Sequence, residues 1–98
     1  MADLYAKIEA ARLLTWKACC TADAGKKDVR LESSMAKYVT VKFARQVCAW
    51  AADLFGGMSV MENHPVHMFP GGVWASSLGE GTQDVQKLII AREILKSD

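Results

Sequence analysis

What most limits the fold of this chain is a long periodic stretch in its middle. Met35, Val39, Phe43, Val47, Trp50 and Leu54 succeed one another at steps of three or four, the spacing that gathers side chains on one face of an α-helix. Lys37, Arg45, Gln46 and Asp53 fall away from that stripe. The stretch opens near Leu31 or Ser34 and ends at Gly56-Gly57, where a helix C-terminus prefers glycine. At 1.5 Å per residue it makes a rod about 35 Å long. A rod of that length cannot bury its own apolar stripe, so the rest of the chain has to cover it.

Two further segments have the same period. Over residues 3–24, Leu4, Ile8, Ala11, Leu14, Ala18 and Ala22 form a stripe, with Asp3 placed to cap the start. Gly25 and Lys26-Lys27 mark the stop. Leu13 and Trp16 lie off this stripe, so the helix has more apolar surface than one neighbour covers. Over residues 82–96, Thr82 can cap the start and Asp84 suits the N-terminal dipole. There Val85, Leu88, Ile89 and Leu95 form the expected buried stripe, with Lys87, Arg92, Glu93 and Lys96 in solvent.

Residues 58–81 show no clear period. Pro65, Pro70, Gly71, Gly72, Gly79 and Gly81 punctuate them, which predicts a structured loop with at most a short helical turn. The apolar residues along it, Met58, Val60, Met61, Val66, Met68, Phe69, Val73 and Trp74, predict docking rather than disorder. The expected fold is all-α: an antiparallel bundle of three main helices, over residues 3–24, 31–56 and 82–96, with a long irregular connection. It forms one partial domain over residues 1–98, and the surplus apolar faces point to completion by oligomerisation.

Composition removes several classes of function. A formal net charge of +1, with acidic and basic residues interspersed, leaves no basic stripe for nucleic acid. No run approaches the roughly 18 apolar residues of a membrane span. The start, Met1-Ala2-Asp3-Leu4-Tyr5, lacks a signal-peptide pattern, so a soluble intracellular protein is expected. Cys19, Cys20 and Cys48 fit reduced, buried thiols better than a disulfide framework. His64 and His67 have a spacing a metal can use, but with only Glu62 nearby the ligand set is incomplete and no metal is expected.

Several short motifs in order carry a family resemblance. They are Ile8-Glu9-Ala10-Ala11-Arg12-Leu13-Leu14, Ser34-Met35-Ala36-Lys37, Phe55-Gly56-Gly57, Glu80-Gly81-Thr82, and Gln86-Lys87-Leu88-Ile89-Ile90-Ala91-Arg92-Glu93. In this order and spacing the chain resembles the carboxy-terminal domain of the acyl-CoA dehydrogenases over nearly its whole length. The resemblance implies a segment of a four-helix bundle in an oligomeric, FAD-dependent enzyme. In that family an α-helical domain, a β-domain and earlier bundle helices supply most contacts to flavin and to the acyl-CoA substrate.

The resemblance also implies roles for individual residues. Glu80 matches the carboxylate base that removes the α-proton of the thioester while a hydride leaves the β-carbon for the flavin. Gly79 and Gly81 flank it at the substrate side. Gly56-Gly57 matches a glycine pair that reaches the flavin of a neighbouring subunit, and Thr82 matches a flavin contact. Asp53 stands where family members have a flavin-contacting glutamine, and Asp84 adds a second carboxylate near that surface. From the residues alone, Glu80 reads as an exposed loop glutamate, and Gly56-Gly57 is equally a helix C-cap. Further departures are Gly71-Gly72 in place of Arg-Asp, with Pro70 expected to break the short helix there, Gly79 in place of an aromatic, and Met58-Ser59 after the glycine pair. Two functions follow: a segment of a flavin-dependent dehydrogenase, inactive without the family's other domains, or a helical interaction module that keeps only the associating faces.

Overall fold

In a computed structural model, which describes residues 1–96, the periodic middle stretch forms α2 (Arg30–Phe55), and every other helix packs on it. Before it runs α1 (Ala2–Asp23); after it come a 3₁₀ turn (Gly56–Val60), α3 (Pro65–Leu78) and α4 (Gln83–Lys96). No strand occurs among the described residues. α1, α3 and α4 each pack against α2, whereas none of the three packs extensively on another.

Local chemistry sets the boundaries. α1 starts one residue before Asp3, which lies in its first turn and forms an ion pair with Lys7 at 2.9 Å instead of capping the helix. It ends ahead of Gly25, whose φ of +88° suits glycine. Asp28 receives the Arg30 N–H at 3.1 Å and binds its guanidinium through both carboxylate oxygens, so this arginine holds the Asp28 carboxyl well below the usual carboxylate range. α2 ends at Gly56, with φ +57°.

The expected irregular connection is mostly a helix. Pro65 occupies the first turn of α3, where a missing N–H costs nothing, and the His64 ring accepts the Val66 N–H at 3.3 Å. Pro70 lies inside this helix and does not break it, although an internal proline costs about 3 kcal/mol. The reason is a period that the glycines and prolines hide. Val66, Pro70, Val73 and Ser77 are the inward residues of α3, spaced four, three and four apart, and they bind it along α2. Among the described residues there are thus four α-helices and a 3₁₀ turn where three main helices were expected.

α4 corrects a second expectation. Val85, Leu88 and Leu95 face outward, at 42%, 66% and 73% exposure. The side turned to α2 holds Gln83, Gln86, Ile89, Ile90 and Glu93. Polar bonds set this rotation: Gln83 Nε2 donates to the Tyr38 carbonyl at 3.0 Å, and Glu93 lies 3.7 Å from the Arg30 guanidinium. α1 keeps Leu4, Ala11, Leu14 and Ala18 inward as expected, while Ile8 and Ala22 are exposed. Tyr5, Leu13 and Trp16 also face outward.

The result is an open bundle. The buried apolar residues are Ala11, Ala36 and Val41. The radius of gyration is 15.7 Å, against about 12.6 Å for a compact domain of this length. The accessible surface is 6865 Å², against about 5,500 Å² for a compact protein of this mass. An apolar trough of about 460 Å³ runs between α1, α2 and α3, lined by Ile8, Phe43, Val47, Val66, Phe69 and Val73 among others.

The cysteines also depart from expectation. Cys19 and Cys20 are exposed on α1, and Cys48 is half-buried on α2, where burial pushes its thiol up. Since the thiolate is the reactive form, a disulfide reagent at neutral pH should label Cys19 and Cys20 quickly and Cys48 last. Peptide mapping of the labelled chain checks this; equal rates at all three, or Cys48 first, would contradict the packing described.

Candidate functional site

The turn between α3 and α4 brings together most of the residues singled out from sequence. Gly79 ends α3 in an extended conformation, with φ −71° and ψ 140°. Glu80 then adopts φ +54°, and Gly81 φ +103°. Among the described residues Glu80 is the only non-glycine with positive φ. For an L-residue that conformation costs on the order of 1 kcal/mol, and such strain gathers at functional sites when the surroundings hold it in place.

The surroundings do hold it. Lys37 Nζ on α2 donates to the Gly79 carbonyl. Gln86 Nε2 on α4 donates to the Glu80 carbonyl at 3.4 Å, and Gln83 Nε2 to the Tyr38 carbonyl at 3.0 Å. Thr82 is the cap expected: its Oγ1 accepts the Val85 N–H at 3.3 Å and its carbonyl the Gln86 N–H at 3.0 Å. Gln86 is 5% exposed, a polar residue fully packed against the turn. Asp84 lies in the first turn of α4, paired with Lys87 at 3.2 Å.

The Glu80 side chain is exposed at the edge of a depression of about 540 Å³. Lys27, Arg30, Ser34, Lys37 and Gln86 contribute to its wall. The depression is open and is not a dry pocket. Lys37 and Gln86 lie within motifs of the family resemblance, but the resemblance gives neither them nor Gln83 a part in a site. Two glutamines three apart just after a cap residue are the signal that locates them, since glutamine amides reach backbone carbonyls across a turn.

The other candidates lie elsewhere. Asp53 is exposed near the end of α2, and Gly56 and Gly57 follow it. Tyr38, which anchors the start of α4, precedes Gly56 by 18 positions, about 27 Å along a helix. Gly56 donates its N–H to the Ala52 carbonyl and so acts as the C-cap. Beside Gly57 nothing lies within 4 Å of the position a Cβ would take, leaving its backbone open to approach. The chain thus divides the residues in question into two surfaces at opposite ends of α2. His64 and His67 are spent on local contacts, with Val66 N–H and with the Ser59 carbonyl at 3.3 Å each.

An all-α half-bundle that carries a glutamate on a strained turn before its last helix is the class defined by this fold and site. The sequence profile described as "Acyl-CoA dehydrogenase, C-terminal domain" matches residues 1–95; the chain belongs to that family. It is similar to cyclohexane-1-carbonyl-CoA dehydrogenase of Geobacter metallireducens, with 38% identity over 96 residues covering 98% of this chain and 25% of the relative. Similarity extends to the mitochondrial short-chain specific acyl-CoA dehydrogenase of Rattus norvegicus, 34% identical over 97 residues, 99% of this chain and 23% of the relative. A probable acyl-CoA dehydrogenase of Mycobacterium leprae is 31% identical over 96 residues, 98% of this chain and 25% of the relative. The chain therefore spans about a quarter of the length of these relatives.

The turn can be tested by itself. At Gly81 a Cβ would stand 2.6 Å from Gln86 Nε2, and φ +103° strains any L-residue. Gly81→Ala should cost about 1–3 kcal/mol in urea unfolding and should displace Gln86 from the Glu80 carbonyl. An unchanged urea midpoint would show that the turn does not have this geometry.

Proposed function

We propose that this chain is the base-bearing segment of an FAD-dependent acyl-CoA dehydrogenase. Glu80 is the base. It takes the proton from the carbon α to the thioester carbonyl, while a hydride leaves the β-carbon, giving the α,β-unsaturated thioester. FAD, when bound, supplies the hydride acceptor. The observation that carries this reading is the backbone of Glu80: a non-glycine in the left-handed region, tied to α2 and α4 by side chains on both flanks. A base has to hold one position relative to the α-carbon, and a fixed turn provides it. By the family resemblance Gly79 and Gly81, which flank Glu80, lie on the side of the thioester.

The residues present fit parts of a flavin nucleotide. Gly57, with open space beside its Cα, admits a planar group against the backbone, with Gly56 beside it. Thr82 and the first N–H groups of α4 suit an anionic oxygen. Asp53 and Asp84 carry the wrong charge for a pyrophosphate, so their part is hydrogen bonding at the edge of the cofactor. Because the two surfaces lie at opposite ends of α2, a complete cofactor cradle requires more than one copy of this segment, and the acyl-CoA substrate requires the further domains that the relatives possess. We place the assembly in a soluble intracellular compartment, cytoplasm or mitochondrial matrix; no described helix is long and apolar enough to cross a membrane.

A second reading has one observation in its favour. The outward apolar faces of α1 and α4 suit a helical interaction module that associates without flavin chemistry. The two readings part on a single variant. In a flavin-loaded assembly containing this segment, Glu80→Gln should lower turnover of a saturated acyl-CoA by at least about a hundredfold at unchanged flavin content. Full turnover in the variant sinks the base assignment, and no turnover even with Glu80 present selects the module.

A further inference from the structure

The contacts at the end of α3 belong to residues that the proposed function leaves unused. Ser77 is the most deeply buried side chain among the described residues, at 1% exposure. A serine so placed needs both hydrogen-bonding capacities satisfied. It donates to the Trp74 carbonyl at 2.7 Å and accepts from the Arg45 guanidinium at 2.7 Å. The same guanidinium centre sits 4.2 Å from the centre of the Trp74 ring, within the range of cation–π attraction. Among the described residues Arg45 Nε is buried without a hydrogen-bond partner, so Ser77 and Trp74 are what hold this arginine in place.

Lys37 lies eight positions before Arg45 on α2, about 12 Å along the helix. Its ammonium takes the Gly79 carbonyl. The two cations therefore grip α3 in antiparallel order: Arg45 at Trp74 and Ser77, Lys37 at Gly79, immediately before the strained Glu80. Tyr38, next to Lys37, receives Gln83 from beyond the turn. An isolated three-residue turn with two consecutive positive φ values relaxes readily; this one is tied on both sides to neighbouring residues of one rigid helix.

We infer that Arg45 and Lys37 are positioning residues for Glu80, acting through the C-terminal end of α3. The consequence for catalysis rests on the base reading above; the mechanical claim does not. Arg45 fixes the rotation and depth of the last turn of α3 through Ser77, and Lys37 fixes the direction in which the chain leaves it. Removing either frees the Gly79–Thr82 backbone while the α1–α2 packing stays intact.

Backbone ¹⁵N relaxation of the full chain tests this. Glu80 should give an order parameter near about 0.85, the value of rigid backbone. Lys37→Met should bring Glu80 below about 0.6, the flexible range, with α1 amides unchanged. Arg45→Met should do the same for Ser77 through Glu80, and Arg45→Lys should restore part of the order. Should Arg45→Met fail to fold, Ser77→Ala removes the same hydrogen bond with a smaller change and should mobilise Glu80 likewise. If Glu80 stays rigid in the folded variants while the melting temperature falls, these residues merely stabilise the bundle and the inference is overturned. That result would stand apart from the Glu80→Gln assay, whose failure would remove the base and leave the clasp in place.

Discussion

Everything in this chain depends on α2 as a shared packing partner. α1, α3 and α4 meet it on different sides and scarcely meet one another. A helix covered on three sides has a use for small and polar residues at its contacts, because backbones approach closely there and side chains have to reach across. This explains why its most buried residues are Ser34, Ala36 and Val41, while larger apolar residues such as Phe43 and Val47 are half-buried along an open trough. It also explains how two points on one rod, Lys37 and Arg45, govern a turn that belongs to neither α2 nor α1.

The same arrangement leaves the bundle open. A radius of gyration about 3 Å above that of a compact domain and an excess surface of about 1,400 Å² have the same origin: α1, α3 and α4 cover α2 but expose their own far sides. Those of α1 and α4 carry apolar residues: Tyr5, Leu13 and Trp16 on α1 and Leu88 and Leu95 on α4 are all more than half exposed. An outward stripe of this kind is expected where other helices are to be packed, which agrees with a chain that spans about a quarter of its relatives. The polar turn that carries Glu80 and the apolar outer faces are thus two consequences of one packing decision.

Much of this was legible from residue spacing, and the failures have physical causes. α1 and α2 lie where their apolar period puts them, and Gly25 and Gly56 end them as glycine should. But Ile8, Ala22 and Leu54 of the stripes are exposed, and the deepest residues of α2, Ser34, Ala36 and Val41, lie off its stripe. α3 escaped because local propensity and tertiary packing disagree there: Pro70, Gly71 and Gly72 oppose a helix, while Val66, Val73 and Ser77 dock one onto α2. α4 was placed correctly but rotated wrongly, since the assumption that apolar residues face inward fails where glutamines on the inward side bind backbone carbonyls. Of the site, Glu80, Thr82 and the flanking glycines stood out through their family resemblance and their place at a helix start. Lys37, Arg45 and Ser77 did not, because a long-range clasp between two helices leaves no local pattern in either.

This bundle leaves apolar faces in need of cover. Sedimentation equilibrium of the purified chain, without flavin and over a wide concentration range, measures that need. The mass should exceed that of one 10.7 kDa chain and rise with concentration as outer faces pair. A single species of 10.7 kDa at every concentration, sedimenting as a compact particle, would contradict it.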